Sequence, residues 1–189
     1  LLFGIGGASN FNLAMGRGEK EEAGRYVGNA AVLLIGSGLI LMIITQLFLT
    51  RLLKFFGSPN DVLGYAETYV RITSIGFPAL ILTTGGCHLI RADGSPKMSM
   101  VCNLIGAVIN TILDAILVLG LDLGMAGAAF ATIIGQFISA GIVIWYLLHY
   151  KTVHLGKEEY RFQKNYTCHV MALGTASFFN QIAIMIVQI

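Results

Sequence analysis

The sequence predicts an all-α membrane protein, a polytopic bundle of transmembrane helices. Three observations carry that prediction. Hydrophobic residues make up 56% of the chain and charged residues 12%, about half the ~25% charge of an ordinary soluble domain, so a water-facing surface cannot be covered in the usual way. Apolar runs long enough to cross a bilayer recur along the chain and are separated by short polar stretches. There are 23 glycines in 189 residues, and Gly is more frequent in membrane helices, where it lets backbones approach closely.

The elements follow in order. A spanning helix needs about 20 mainly apolar residues, because the hydrocarbon core is about 30 Å thick and each residue rises about 1.5 Å. Residues 1–15 are too short for that and read as the tail of a span. The chain starts at Leu1 without a Met and without a signal peptide, and stops at Ile189 inside an apolar run, so it is expected to be a piece of a longer protein. Residues 16–24 form a charged turn, and residues 26–50 carry no formal charge and make the first full span. Residues 51–61 read as a loop broken by Gly57, Ser58 and Pro59. The next span covers 65–90, with Pro78 expected to kink it and Glu67 and Arg71 placed for an i,i+4 ion pair at its entry. Residues 91–97 are a tight polar turn. Spans at 98–121 and 125–150 follow, separated by a very short connection at Asp122. Residues 151–165 are the longest polar stretch, and the chain is apolar again from Tyr166.

Alternating spans place the loops at 16–25, 91–97 and 151–165 on one side. That side holds Arg17, Lys20, Arg25, Arg91, Lys97, Lys151, Lys157, Arg161 and Lys164, whereas the other holds Arg51, Lys54 and Arg71. By the positive-inside rule the richer side is cytoplasmic. Overall the chain has 12 basic and 10 acidic residues, a balance that gives no polybasic surface for nucleic acid. Cys87, Cys102 and Cys168 show no metal or disulfide spacing and read as small packing residues.

Polar residues inside the spans are the functional candidates. Asp114 lies seven residues before the end of its span, about 10 Å from the interface by helix rise. A carboxylate there costs at least ~2.5 kcal/mol unless it faces protein or water. Asn103, Gly106, Ala107, Asn110 and Asp114 form one small and polar stripe that cannot look at lipid. Two readings stand: hydrogen bonding to neighbouring helices, or a cation site, either an oxygen cage for Na⁺ or a carboxyl kept protonated by desolvation. Gly127, Ala131 and Gly135, at i, i+4, i+8, form a close-packing face. Asn180 and Gln181 in the last span face a substrate cavity or bond across helices. Gln46, His88, His149 and His169 lie near span ends, and Trp145, Tyr146 and Tyr150 read as an interfacial aromatic belt. No nucleophile–base constellation and no phosphate-cradling motif stands out, so an enzyme is not expected; the GIGG starting at Gly4 is read as helix packing.

Two stretches carry a family resemblance. RADGSPKMSMVCNLIGAVINTILDAILVLGLDLGMAGAAFATIIGQ (91–136) and GGASNFNLAMGRGEKEEAGRYVGNA (6–30) closely resemble the prokaryotic multidrug and toxic compound extrusion (MATE) transporters. The resemblance implies two six-helix lobes, with residues 1–150 covering helices two to six of the amino-terminal lobe. It makes 151–165 the cytoplasmic linker and 166–189 the start of the second lobe. It implies a monomeric antiporter of the plasma membrane that exports amphipathic or cationic drugs in exchange for Na⁺ or H⁺, with no other cofactor. A lipid-linked oligosaccharide flippase of the same superfamily is the alternative, although its cavity would carry more cationic groups mid-span. By the motif match the cation site comprises Asn110, Asp114 and Thr132, completed in the family by an acid on the first helix. The family's Asp is commonly followed by Pro; here Ala115 follows, which implies a straighter helix.

Overall fold

The computed structural model describes residues 2–55, 60–153 and 163–187. Within them the chain is helical throughout: α1 (Leu2–Arg17), α2 (Lys20–Phe55), α3 (Asn60–Ser74), α4 (Phe77–Ala92), α5 (Pro96–Asp114), a π-helical turn (Ala115–Gly120), α6 (Gly124–Leu148) and α7 (Lys164–Val187). Four helices are long and apolar enough to cross a membrane, and α3 with α4 makes a fifth crossing if that bent pair is one span. The all-α membrane bundle is thus what the chain forms. Large apolar side chains such as Leu47, Leu104 and Leu119 stay more than half exposed. Water does not tolerate such a surface, which suits a bilayer environment.

Connections are shorter than the polar runs suggest. The charged turn expected over 16–24 shrinks to Gly18 and Glu19. Gly18 is left-handed (φ 82°) and its N–H reaches Met15 O while Glu19 N–H reaches Ala14 O, a Schellman stop. Lys20 to Gly24 are already helical, with Glu21 and Glu22 in the first turn, where the helix dipole favours them. Gly94 (φ 74°) stops α4 in the same way before Pro96 opens α5. The loop expected over 51–61 also shortens, because α2 runs on to Phe55 and α3 starts at Asn60. Gly57, Ser58 and Pro59 lie outside the described residues, as do 154–162 with Lys157 and Arg161. The last helix starts at Lys164, two residues before Tyr166.

Pro78 acts as expected. It has no N–H to give the carbonyl four residues back, at Ser74, and its ring crowds that carbonyl. The helix ends at Ser74, restarts at Phe77, and turns through 55°. Near the end of its span, Gln46 donates its amide to Arg71 O (2.8 Å) and Ser74 Oγ (2.9 Å), tying α2 to the end of α3. Glu67 forms no ion pair with Arg71 and instead accepts from Thr50 Oγ1 at 2.7 Å.

The core is shared by α1, α2, α4 and α6, with Phe11, Val27, Leu34, Leu89 and Val143 all essentially inaccessible. Helices meet through small residues. A methyl group on Gly135 of α6 would stand 2.7 Å from Gly106 O of α5, and one on Gly174 of α7 would stand 2.1 Å from Leu2 O of α1. Gly127, Ala131 and Gly135 are all buried, Gly135 packing on Gly106 of α5 and Gly127 on Leu117 of the π-helical turn. Gly4 of the GIGG run packs on Gly85 in the same manner. Cys87 and Cys102 are buried as packing residues, but Cys168 is exposed.

The aromatic belt is corrected. Trp145 faces outward, yet Tyr146 and Tyr150 are buried. Tyr146 donates to Asp93 Oδ2 (2.7 Å) and Tyr150 to Leu89 O (2.8 Å). Asp93, 7% exposed, also accepts from Lys151 N, Thr152 N and the Thr152 hydroxyl. One carboxylate thereby binds the α4–α5 turn to the chain leaving α6. Burial, then the Asp93 charge, holds the Tyr150 hydroxyl proton well above the ordinary tyrosine range.

Candidate functional site between α4, α5 and α6

Asn103, Gly106, Ala107 and Asn110 of the α5 stripe line a space shared with α4 and α6. Close approach at Gly106 and Gly135 brings the two backbones together, and the side chains one turn on from Gly106 then meet. Asn110 Nδ2 lies 3.4 Å from Thr132 Oγ1, its acceptor, and Thr132 itself donates to Ala128 O at 2.9 Å. Asn103 is drawn toward α4, donating to Ser99 O (3.0 Å) and approaching Cys87 Sγ (3.2 Å).

A cavity of about 230 Å³ opens beside this contact, lined by Asn103, Asn110 and Ala107 from α5, by Thr132, Gln136 and Ser139 from α6, and by α4 through Thr83 and its neighbours. Asp114 stands one helical turn beyond Asn110, where regular α-helix ends and the π-helical turn begins. Leu121 N–H reaches back to Ile116 O, the i−5 bond of that turn. Ala115 in place of Pro therefore does not leave a plain α-helix here. Such turns are rare and concentrate at functional sites.

Three buried side-chain oxygens in this region have no hydrogen-bond partner: Asp114 Oδ1, Thr83 Oγ1 and Gln136 Oε1. An unsatisfied buried polar atom costs about 1–3 kcal/mol, and all three can accept a donor or face a cation. Asp114 supplies the only formal charge. Among the described residues no group of three His, Cys, Asp or Glu is placed to hold a metal ion; the cavity offers neutral oxygens, and Asp114 is the carboxylate one turn further along the same face of α5. That donor set suits a hard monovalent cation or a proton.

Asn110 and Thr132 are thus in contact, with Asp114 adjoining on the same face. Asn180 is exposed and Gln181 half-buried on α7, and neither lines this cavity. Thr83 and Gln136 were not singled out in the sequence. Gln136 had a signal, since it follows Thr132 at i+4 and Ser139 continues the same face. Thr83 had none beyond being polar in an apolar helix.

The sequence model of the MatE family matches residues 1–116. This chain belongs to the MatE family. It is 29% identical over 151 residues to the multidrug export protein MepA of Staphylococcus saprophyticus, covering 78% of this chain and 33% of that one. It is 32% identical over 146 residues to MepA of Staphylococcus haemolyticus, covering 77% and 32%. The fold matches a crystal structure of MATE in the bent conformation with a TM-score of 0.90 at 20% identity, over 98% of this chain and 42% of that one. The chain therefore spans about a third of the length of its curated MATE relatives. Neither the family nor these relatives' names are those of an enzyme.

Proposed function

We propose that the full-length protein is a secondary antiporter of the plasma membrane, exporting amphipathic or cationic organic compounds in exchange for Na⁺ or H⁺. The observation that carries this reading is the unpartnered, buried carboxylate oxygen of Asp114 beside the Asn110–Thr132 contact. A fold that leaves a charge uncompensated at such a place supports a site filled by something from outside the fold. In this reading Asp114 supplies the charge, Asn110 a carbonyl oxygen and Thr132 a hydroxyl oxygen. Multidrug export by the MepA relatives supports the substrate class.

Exchange requires that the cation bind one access state more tightly than the other, since equal binding shifts nothing. Residues 1–150 then belong to the amino-terminal lobe, 151–165 to the cytoplasmic linker and 166–189 to the second lobe. The loops at 16–25 and 91–97 are cytoplasmic with the linker, and the transporter works as a monomer. Asn180 and Gln181 would meet substrate from the second lobe, apart from the cation site.

The test is ethidium or fluoroquinolone efflux from vesicles holding the full-length protein, under imposed Na⁺ or H⁺ gradients. Efflux is expected to accelerate at least about tenfold with one of the two gradients, a ligand-linked bias of about 1.4 kcal/mol. Equal rates with and without both gradients would contradict coupling.

A further inference from the structure

Gln136 stands where the cavity meets the bend between α3 and α4. Its Oε1 is buried without a hydrogen-bond partner. A methyl group on Gly76 would come within 2.2 Å of that oxygen and 3.4 Å of Cδ, so the amide lies directly against the backbone of the bend. Gly76 is buried, gives its N–H to Thr73 O (2.9 Å) and accepts from Leu80 N–H (2.8 Å), which makes it the joint between the last turn of α3 and the first of α4. Seven residues on, two turns along α4, Thr83 lines the same cavity; the residue is only 7% exposed and its hydroxyl is buried without a hydrogen-bond partner.

α2 holds the two arms of the bend. Gln46 grips the end of α3, and Gly38 lies against Pro78 so closely that a methyl group there would stand 2.5 Å from the proline Cα. The apex, Ile75 and Gly76, is left to its contact with α6, and Gln136 makes that contact.

We propose that Gln136 is a positioning residue that links occupancy of the cavity to the angle of the α3–α4 bend. The proposal rests on the transport reading above and adds the element through which a ligand is felt. In the empty cavity the Gln136 amide rests on Gly76 with its oxygen unsatisfied. A ligand that brings an N–H donor gives that oxygen a partner, turns the side chain into the cavity and frees the apex. The same ligand meets Thr83 on the far arm, so it binds two bend angles with different affinity, which is the condition for coupling.

The experiment uses the full-length protein in lipid nanodiscs, with Cys168 replaced and nitroxides placed at Tyr65 and Arg91, exposed positions on the two arms. Ethidium affinity and the label-to-label distance are read for the parent, Gly76→Ala, Gln136→Ala and the double variant. Gly76→Ala is expected to weaken ethidium binding about fivefold or more and to shift the distance, while in the Gln136→Ala background it changes either by less than about twofold. Gln136→Met keeps the length but removes the polar group, and is expected to bind ethidium without the ligand-induced distance change; it decides the matter if Gly76→Ala fails to fold. Additive effects of the two substitutions, or a Gln136→Met protein that responds like the parent, would overturn the proposal while leaving the transport reading intact. A parent protein that binds no ethidium would overturn the transport reading and this proposal with it.

Discussion

Asp114→Asn in the full-length protein is expected to abolish cation-coupled efflux while leaving the protein folded. The substitution keeps shape and volume and removes the charge. Asp114 Oδ1 has no partner within the fold, so no hydrogen bond to it is lost, and the neutral amide is less costly at this depth than an ionised carboxylate. Stability should change by less than about 1 kcal/mol, or rise. The cation, by contrast, loses the one formal charge on the α5–α6 face. Ethidium efflux from proteoliposomes and thermal unfolding in detergent separate the two effects. Efflux at the parental rate with its cation dependence retained would remove Asp114 from the site.

Asp93→Ala is expected to produce the largest loss of stability. Four donors converge on that carboxylate: the Tyr146 hydroxyl, the Lys151 and Thr152 amides and the Thr152 hydroxyl. Removing it leaves them facing an apolar methyl group, and breaking a buried charged network costs about 3–5 kcal/mol. Asp93→Asn, which keeps one acceptor oxygen but turns an N–H₂ toward donors, should cost less, about 1–3 kcal/mol. Hydrogen exchange at the Lys151 and Thr152 amides provides the local readout. Both amides should lose protection in Asp93→Ala, whereas the Cys87 Sγ–Ser99 O contact between α4 and α5, which does not involve Asp93, should be retained. Unchanged protection at those two amides would show that Asp93 does not fasten the exit of α6.

Much of the fold follows from patterns visible along the chain. Long uncharged runs define the spans, and Pro78 marks the bend. The break falls one turn upstream of Pro78 because the lost hydrogen bond belongs to the carbonyl of Ser74. Small residues at i+4 spacing marked α6 as closely packed, and the structure shows Gly135 of that stripe on Gly106 of α5, with Asn110 and Thr132 in contact beside it.

What was not legible depends on partners far away in sequence. Tyr146 and Tyr150 have the composition of an interfacial belt, and only Asp93, 53 residues from Tyr146, shows that they point inward. Gln46 looks like a residue reaching for water until the end of α3, 25 residues on, takes both its donors. Thr83 and Gln136 acquire meaning only when α4 and α6 are laid side by side, since neither helix alone reveals a cavity. Ala115 likewise gives no sign of the π-helical turn that begins there.

Direct cation binding to the purified full-length protein tests whether the α5–α6 face binds the transported cation. Saturable uptake of radioactive sodium, or of protons measured by pH change on ligand addition, should amount to one cation per molecule. It should vanish in Asp114→Asn and weaken about tenfold in Asn110→Ala and Thr132→Ala, each of which removes one neutral oxygen. An unchanged cation stoichiometry in Asp114→Asn would contradict the account.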